Sequence, residues 1–246
     1  MVPVDRHYTH PRLAGIYDLG NAGAEDRDFY LSLAGNSPCD ILDLGCGTGL
    51  VCDAFAARGH RVTGADPARA MLDVARSKPH GASVEWVEAT AEDFQSPKRF
   101  DLIIMTGHAF QVLLTEAQVA QALANMAAHL KPDGLAVFES RNPAIDWDSV
   151  WARERRLEAP DGSHILASRR IISSDPDAGL MTFAWDYDFG DAVLTSESTL
   201  RFLPHSRIMH LAEQSGLACA NVLGDWDGAP FQPDRSREMI FKFRRA

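Results

Sequence analysis

The chain has 246 residues, with 24 Lys+Arg against 34 Asp+Glu, a formal net charge of −10 and 46% hydrophobic residues. That length suits one large α/β domain, or one domain carrying an insert, and leaves two full domains cramped. The acidic balance disfavours nucleic acid or anionic lipid as a partner, because no basic run is longer than Arg155-Arg156 or Arg169-Arg170.

Met1 to Gly20 is a polar leader without an apolar core, so no secretory signal is expected. Residues 25–34 (EDRDFYLSLA) predict a short helix closed near Gly35, followed by a turn at Asn36-Ser37-Pro38. Residues 40–44 (DILDL) predict a buried parallel strand. After the glycines of GCGTG, residues 49–58 predict a helix ended by Gly59. Residues 61–65 predict a second strand running into Asp66-Pro67, with Pro67 suited to the first turn of a helix over 68–78. Residues 83–88 and 100–105 predict the third and fourth strands. A helix over 115–130, opened by Thr115, turns at Lys131-Pro132-Asp133-Gly134 into a fifth strand over 135–139.

This alternation predicts a parallel, doubly wound sheet whose strand ends at 44, 66, 88, 105 and 139 share one ligand-binding edge. After residue 142 the rhythm changes. A helix is expected over 143–153, with Trp147 and Trp151 on one face. Antiparallel strands follow over 164–173, 180–189 and 193–202. Met181, Phe183, Trp185, Tyr187 and Phe189 alternate onto one face, as packing or as a wall over a substrate. A helix over 204–215 and strands over 217–223 and 236–244 close the chain. The expected division is a core over 1–149, a β insert capping the substrate over 150–203, and a closing unit over 204–246.

No segment reaches 18 apolar residues, so no transmembrane helix is expected. Cys39, Cys46, Cys52 and Cys219 fit neither a disulfide framework nor a metal knuckle, and the nine histidines lack HxH and HxxxH pairs. A cytoplasmic protein without bound metal is expected.

The chemistry concentrates at ILDLGCGTGL, residues 41–50. Gly45, Gly47 and Gly49 leave room for close backbone approach, and the helix behind them aims free N–H groups into the same space. The spacing is not GxGxxG, and Asp43 ahead of the loop suits a positively charged ligand group better than a pyrophosphate. Asp66 ends the second strand, where a carboxylate can accept from ribose hydroxyls or cap the next helix. Ala91 can present its backbone N–H to an adenine edge, and Glu92 or Asp93 can meet the exocyclic amine.

The pieces DLGCGTG, VTGADPARAML, ATAEDF, FDLIIMTGHAF and LKPDGLAVFESRNP, in this order and spacing, resemble the class I S-adenosylmethionine-dependent methyltransferases, small-molecule branch. The resemblance is strong over 36–142 and looser over the last forty residues. It implies a Rossmann-like seven-stranded sheet with the last strand antiparallel, plus the β-rich insert. It implies S-adenosyl-L-methionine as cofactor and S-adenosyl-L-homocysteine as its product. The cofactor contacts implied are Asp43, Gly45, Cys46, Gly47, Thr48 and Gly49 by the methionine part, Asp66 and Pro67 by the ribose, and Ala91 and Glu92 by the adenine. Met71, Met105 and Thr106 are further candidate cofactor contacts, and Tyr17 belongs to a leader stretch that either folds over the cofactor or packs as ordinary structure. Many relatives carry an acid where this chain has Thr90, which shifts adenine recognition towards Glu92 or backbone groups.

His108 follows the fourth strand as a candidate general base. Arg141, Asn142, Trp151, Tyr187 and Trp226 are the candidate substrate-pocket residues. The expected reaction is methyl transfer to a nitrogen or oxygen of a small molecule, by a monomer or homodimer. The alternatives are a non-catalytic cofactor-binding protein and a nicotinamide-dependent oxidoreductase. The latter wants GxGxxG and Tyr-x-x-x-Lys, and no Tyr lies four residues before Lys78, Lys98, Lys131 or Lys242.

Overall fold

The computed structural model describes residues 4–21, 25–159 and 161–246. Residues 1–3 of the leader, 22–24 and residue 160 of the insert lie outside the described residues. In chain order the elements are helices α1 (Arg6–Thr9), α2 (Pro11–Ala14), α3 (Tyr17–Asn21) and α4 (Glu25–Ser32), then β1 (Asp40–Leu44), α5 (Leu50–Ala57), β2 (Arg61–Asp66), α6 (Arg69–Arg76), β3 (Glu85–Glu88) and β4 (Phe100–Met105). There follow α7 (Glu116–His129), β5 (Leu130–Arg141), α8 (Trp147–Val150), β6 (Glu154–Glu158), β7 (His164–Asp175), β8 (Leu180–Asp188), β9 (Val193–Arg201), α9 (His205–Gln214), β10 (Leu217–Leu223) and β11 (Glu238–Arg245).

The main sheet has seven strands in the order β3-β2-β1-β4-β5-β11-β10. Its first five strands are parallel, and β11 is antiparallel to both β5 and β10. The central strands are short apolar runs because helices cover both faces. On one face Val119, Leu123 and Met126 of α7 and Ile208 and Leu211 of α9 pack over Phe138, Phe241 and Phe243. On the other, Tyr30 and Leu31 of α4, Phe55 of α5 and Leu72 of α6 pack over Ile41, Val62, Ile104, Val137 and Ile240. Thr115 opens α7 with a reciprocal capping box to Gln118, as its side chain and spacing predict.

A second, antiparallel sheet, β6-β7-β8-β9, is inserted after α8. Three local expectations differ. The helix expected over 143–153 is only Trp147–Val150, capped by Asp146. Lys131 to Gly134 does not precede β5 but interrupts it: the register passes from Phe100↔Leu130 to Leu102↔Leu135. Strand β6 was not expected, since ERRLE has the composition of a solvated charge run and buries only Leu157. Charged residues suit an edge strand, whose open backbone must not recruit another chain.

The N-terminal helices close one side of the space between the two sheets. Thr48 donates to Asp18 of α3 at 2.5 Å, and Lys78 pairs with the same carboxylate at 2.6 Å. Tyr187 of β8 meets Nδ1 of His7 at 3.1 Å.

Candidate active site

A cavity of about 470 Å³ opens where the parallel strands end, beneath the second sheet. Its floor is the glycine loop. The N–H groups of Gly45 and Cys46 both donate to the Ala65 carbonyl, at 2.7 and 3.1 Å, and this pins the loop to β2. The three glycines are required for different reasons. A Cβ at Gly45 would lie 2.7 Å from the Ala109 side chain, and one at Gly49 would strike the Trp86 ring at 2.5 Å. At Gly47 (φ +52°) a Cβ meets no described atom within 4 Å, so this is the glycine that faces open cavity.

Asp66 joins the loop to the end of β2. Its Oδ2 accepts from the Gly47 N–H at 2.9 Å and its Oδ1 from the Ala68 N–H at 2.8 Å. Burial pushes its carboxyl up to about 6, against the pull of those two donors. Asp43 lies underneath. One of its oxygens accepts from Cys52 at 3.5 Å, and the other is buried without a partner among the described residues. Burial first, then the charges of Glu139 and Asp66, push Asp43 up to about 8. Beyond β3, Thr90, Ala91 and Glu92 line the cavity. Asn125 fixes that segment through the Ala91 and Phe94 carbonyls at 2.8 and 2.9 Å, and Gln118 holds Glu92 Oε1 at 3.1 Å.

His108 sits at φ +61° just past β4. Its backbone N–H donates to Glu139 Oε1 at 2.6 Å, and its Nε2 lies 2.9 Å from Glu238 Oε2. Tyr30 donates to the other oxygen of Glu139. Burial raises Glu139; for Glu238 the charge of His108 and its hydrogen bond, with Arg141, outweigh burial and lower it. With Nε2 turned to the Glu238 carboxylate, Nδ1 is the nitrogen left without a hydrogen bond to either acid: it is 4.0 Å from Glu139 Oε1, beyond hydrogen-bond reach. Sequence reasoning missed Tyr30, Glu139 and Glu238. The available signal was one acid, Glu139, inside an otherwise apolar strand.

The roof is the second sheet. Phe183, Trp185 and Tyr187 of β8 and Ala167 and Arg169 of β7 face the cavity, with Trp151 and Arg155 beside them. Arg169 was also missed, although the alternation Ile165, Ala167, Arg169 points it inward.

The structure therefore brings Tyr17, Gly45, Gly47, Asp66, Pro67, Ala91, Glu92, Met105, Thr106, His108, Arg141, Trp151 and Tyr187 to one cavity. The remaining expected residues do not line it. Asp43 and Cys46 are buried beneath the loop, and burial pushes the Cys46 thiol up to about 11. Thr48 turns its hydroxyl to Asp18, Gly49 packs on Trp86, and Met71 packs with Ala14 and Ala68. Asn142 spends its amide on the Pro233 and Ser236 carbonyls, at 2.7 and 2.8 Å. Trp226 meets the Phe29 ring edge-on and the Tyr30 ring at a tilt, on the far face of the sheet.

A glycine loop, an acid at the end of β2 and a seven-stranded sheet with β11 antiparallel define the nucleoside-binding fold of a methyltransferase. Residues 41–134 match a methyltransferase domain. The chain is 30% identical over 208 residues to cypemycin N-terminal methyltransferase of a Streptomyces species, covering 83% of this chain and 82% of that protein. Its fold is shared with an S-adenosylmethionine-dependent methyltransferase from Clostridium acetobutylicum (TM-score 0.78, 15% identity, 96% and 98% of the two chains). It is shared also with S-adenosylmethionine-bound CalS10, an amino pentose methyltransferase from Micromonospora echinaspora (TM-score 0.69, 23% identity, 92% and 94%). The chain belongs to the class I S-adenosylmethionine-dependent methyltransferases. The residues present fit the cofactor: Gly47 offers a cradle that a side chain would fill, and Asp43 keeps an unpartnered carboxylate oxygen beneath it.

Proposed function

We propose that this methyltransferase moves a methyl group onto a nitrogen or oxygen of a small molecule held between the strand ends and the second sheet. The observation that carries this reading is one continuous cavity, in which the glycine loop and Asp66 form one end and the aromatic residues of β8 the other. Mostly apolar walls with a few placed polar groups are what small organic ligands require. S-adenosyl-L-methionine supplies an activated methyl on a sulfonium and leaves as S-adenosyl-L-homocysteine.

In this reading Gly45 and Gly47 give backbone approach, and Asp66 accepts from the ribose with the lone pairs that Gly47 and Ala68 leave free. Pro67, Ala91, Glu92, Met105, Thr106 and Tyr17 surround the nucleoside and methionine parts. Asp43, Cys46, Thr48, Gly49 and Met71 shape the loop from behind. Trp151, Tyr187 and Arg141 hold the acceptor, so residues 150–203 act as a substrate cap on a core formed by 1–149 and 204–246. Positioning the acceptor in line with the methyl group is the main catalytic contribution, worth several kcal/mol of barrier. Nδ1 of His108 takes the acceptor's proton, with Glu238 holding the ring in the required tautomer.

The acidic chain and four unpaired cysteines support a cytoplasmic enzyme, monomeric or homodimeric, that acts on free small molecules and not on nucleic acid or membrane. Calorimetry with S-adenosyl-L-homocysteine, followed by a methyl-transfer assay on a panel of small amines and alcohols, tests the reading. Binding together with turnover of at least one acceptor is expected. Binding without turnover across the panel, with turnover of a peptide or nucleic acid instead, would overturn the small-molecule assignment.

A further inference from the structure

The cavity is electrostatically divided. Its carboxylates at the cofactor end are Asp66 and Glu92, whereas Arg141, Arg155 and Arg169 line the acceptor end. Asp5 also faces the cavity there; burial raises its carboxyl despite a hydrogen bond from Ser198.

Arg141 stands apart from the other arginines. Its Nη1 donates to the neutral Gln111 Oε1 at 2.9 Å, and its guanidinium carbon lies 5.5 Å from the Trp147 ring and 4.9 Å from the Trp151 ring. The carboxylates that act on it electrostatically are engaged elsewhere, Glu238 with His108 and Glu139 with Tyr30. Among the described residues no carboxylate forms an ion pair with it. On the other side of the cap, Arg169 approaches the same Trp151 ring at 5.4 Å. Arg169 pairs with Asp148 at 2.9 Å, yet its Nε and Nη1 have no hydrogen-bond partner among the described residues. Withdrawing a cation from water without an opposite charge is costly, and a planar guanidinium presents a fork that matches a carboxylate. Arg155 also lacks a carboxylate partner among the described residues, but it is exposed and water screens its charge; Arg141 is the withdrawn cation, and it calls for a monoanion.

Resting on the methyltransferase reading above, we propose that the methyl acceptor carries a carboxylate, which docks on the Arg141 guanidinium between Trp147 and Trp151. The cofactor's methionine tail also carries a carboxylate, but the topology favours the acceptor. Strand β4 separates β5 from β1, so Arg141 is two strands, about 10 Å, across from the glycine loop. Phe138 pairs with the last residue of β4, and Arg141 lies three residues further, about 10 Å along the strand. Gln111, 0% exposed, keeps the guanidinium there: its amide donates to the Arg201 carbonyl at 3.0 Å while its oxygen receives Arg141.

The test is calorimetric titration of the full chain, loaded with S-adenosyl-L-homocysteine and unloaded, with benzoate, benzamide and phenyl phosphate. Benzoate is expected to bind about 10- to 150-fold tighter than benzamide, the range for hydrogen bonds to a charged group. In Arg141→Gln that ratio falls to near one while homocysteine-product affinity is retained. Arg141→Lys restores part of the ratio, keeping the charge without the fork. Equal binding of benzoate and benzamide overturns the proposal, as does tighter binding of phenyl phosphate. A loss of product affinity of about tenfold or more in a folded Arg141→Gln overturns it too, by assigning the arginine to the cofactor's own tail. If the unloaded chain binds benzoate through Arg141 and no cofactor product binds, the anion subsite stands and the cofactor-site reading falls.

Discussion

Replacing Asp66 with Ala separates ligand binding from support of the fold. In the free protein the carboxyl sits at about 6, above its usual value of 3.8, so its ionised form costs the fold stability at neutral pH. The sign follows from linkage. The cost is absent below pH 4, where folded and unfolded chains are both protonated, and it is complete above about 6; two pH units correspond to about 3 kcal/mol. Removing the side chain relieves that cost. It also strands the N–H groups of Gly47 and Ala68, now 2.9 and 2.8 Å from an acceptor. Each stranded donor costs about 1 kcal/mol, the low end of the range, because the site lines the cavity and water reaches it. The two effects nearly cancel, so at pH 7 the midpoint of thermal unfolding should move by no more than about 4 °C. Affinity has no such compensation. Loss of a charged acceptor for the ribose hydroxyls should weaken S-adenosyl-L-homocysteine by about 1.5–3 kcal/mol, roughly 10- to 150-fold. In the wild type, affinity should also decline as pH falls through about 6, and that decline should vanish in the variant. Calorimetry and scanning fluorimetry read both quantities. A large drop in melting temperature with unchanged affinity would refute the reasoning and leave Asp66 as a clasp between loop and strand.

Three further outcomes are expected. Gly47→Val should fold at a cost of about 1–2 kcal/mol for a branched side chain at φ +52° and should lose binding of the cofactor product; unchanged affinity in calorimetry removes the loop from the site. His108→Asn keeps a residue type that tolerates φ +61°, so product affinity should hold while kcat falls about 10²- to 10⁴-fold; kcat within a few-fold of wild type dismisses His108 as the base. Tyr187→Ala should raise KM for the acceptor about tenfold or more, given the apolar area lost, while changing product affinity little; the opposite split places the ring over the cofactor.

The order of strands and helices from residue 25 to 142, the glycine loop, and the switch to an antiparallel insert were legible in the sequence because each rests on local spacing; the three short helices of the leader were not. An apolar run such as DILDL and an alternation such as that of β8 report their surroundings within a few residues. Asp66, His108 and Arg141 were legible as positions at strand ends, where a parallel sheet places its ligands. What a side chain does at such a position depends on neighbours remote in the chain. Thr48 belongs to the glycine motif, yet Asp18, thirty residues away, takes its hydroxyl. Trp226 follows a strand end, but α4 supplies the Phe29 and Tyr30 rings that draw it to the other side of the sheet. The carboxylates around His108 come from positions 139 and 238, on adjacent antiparallel strands. Arg141 was visible as a strand-end residue, but its lack of a countercharge was not. Ion pairing is decided by distances of a few ångströms between segments far apart in sequence, and only the folded chain sets those distances.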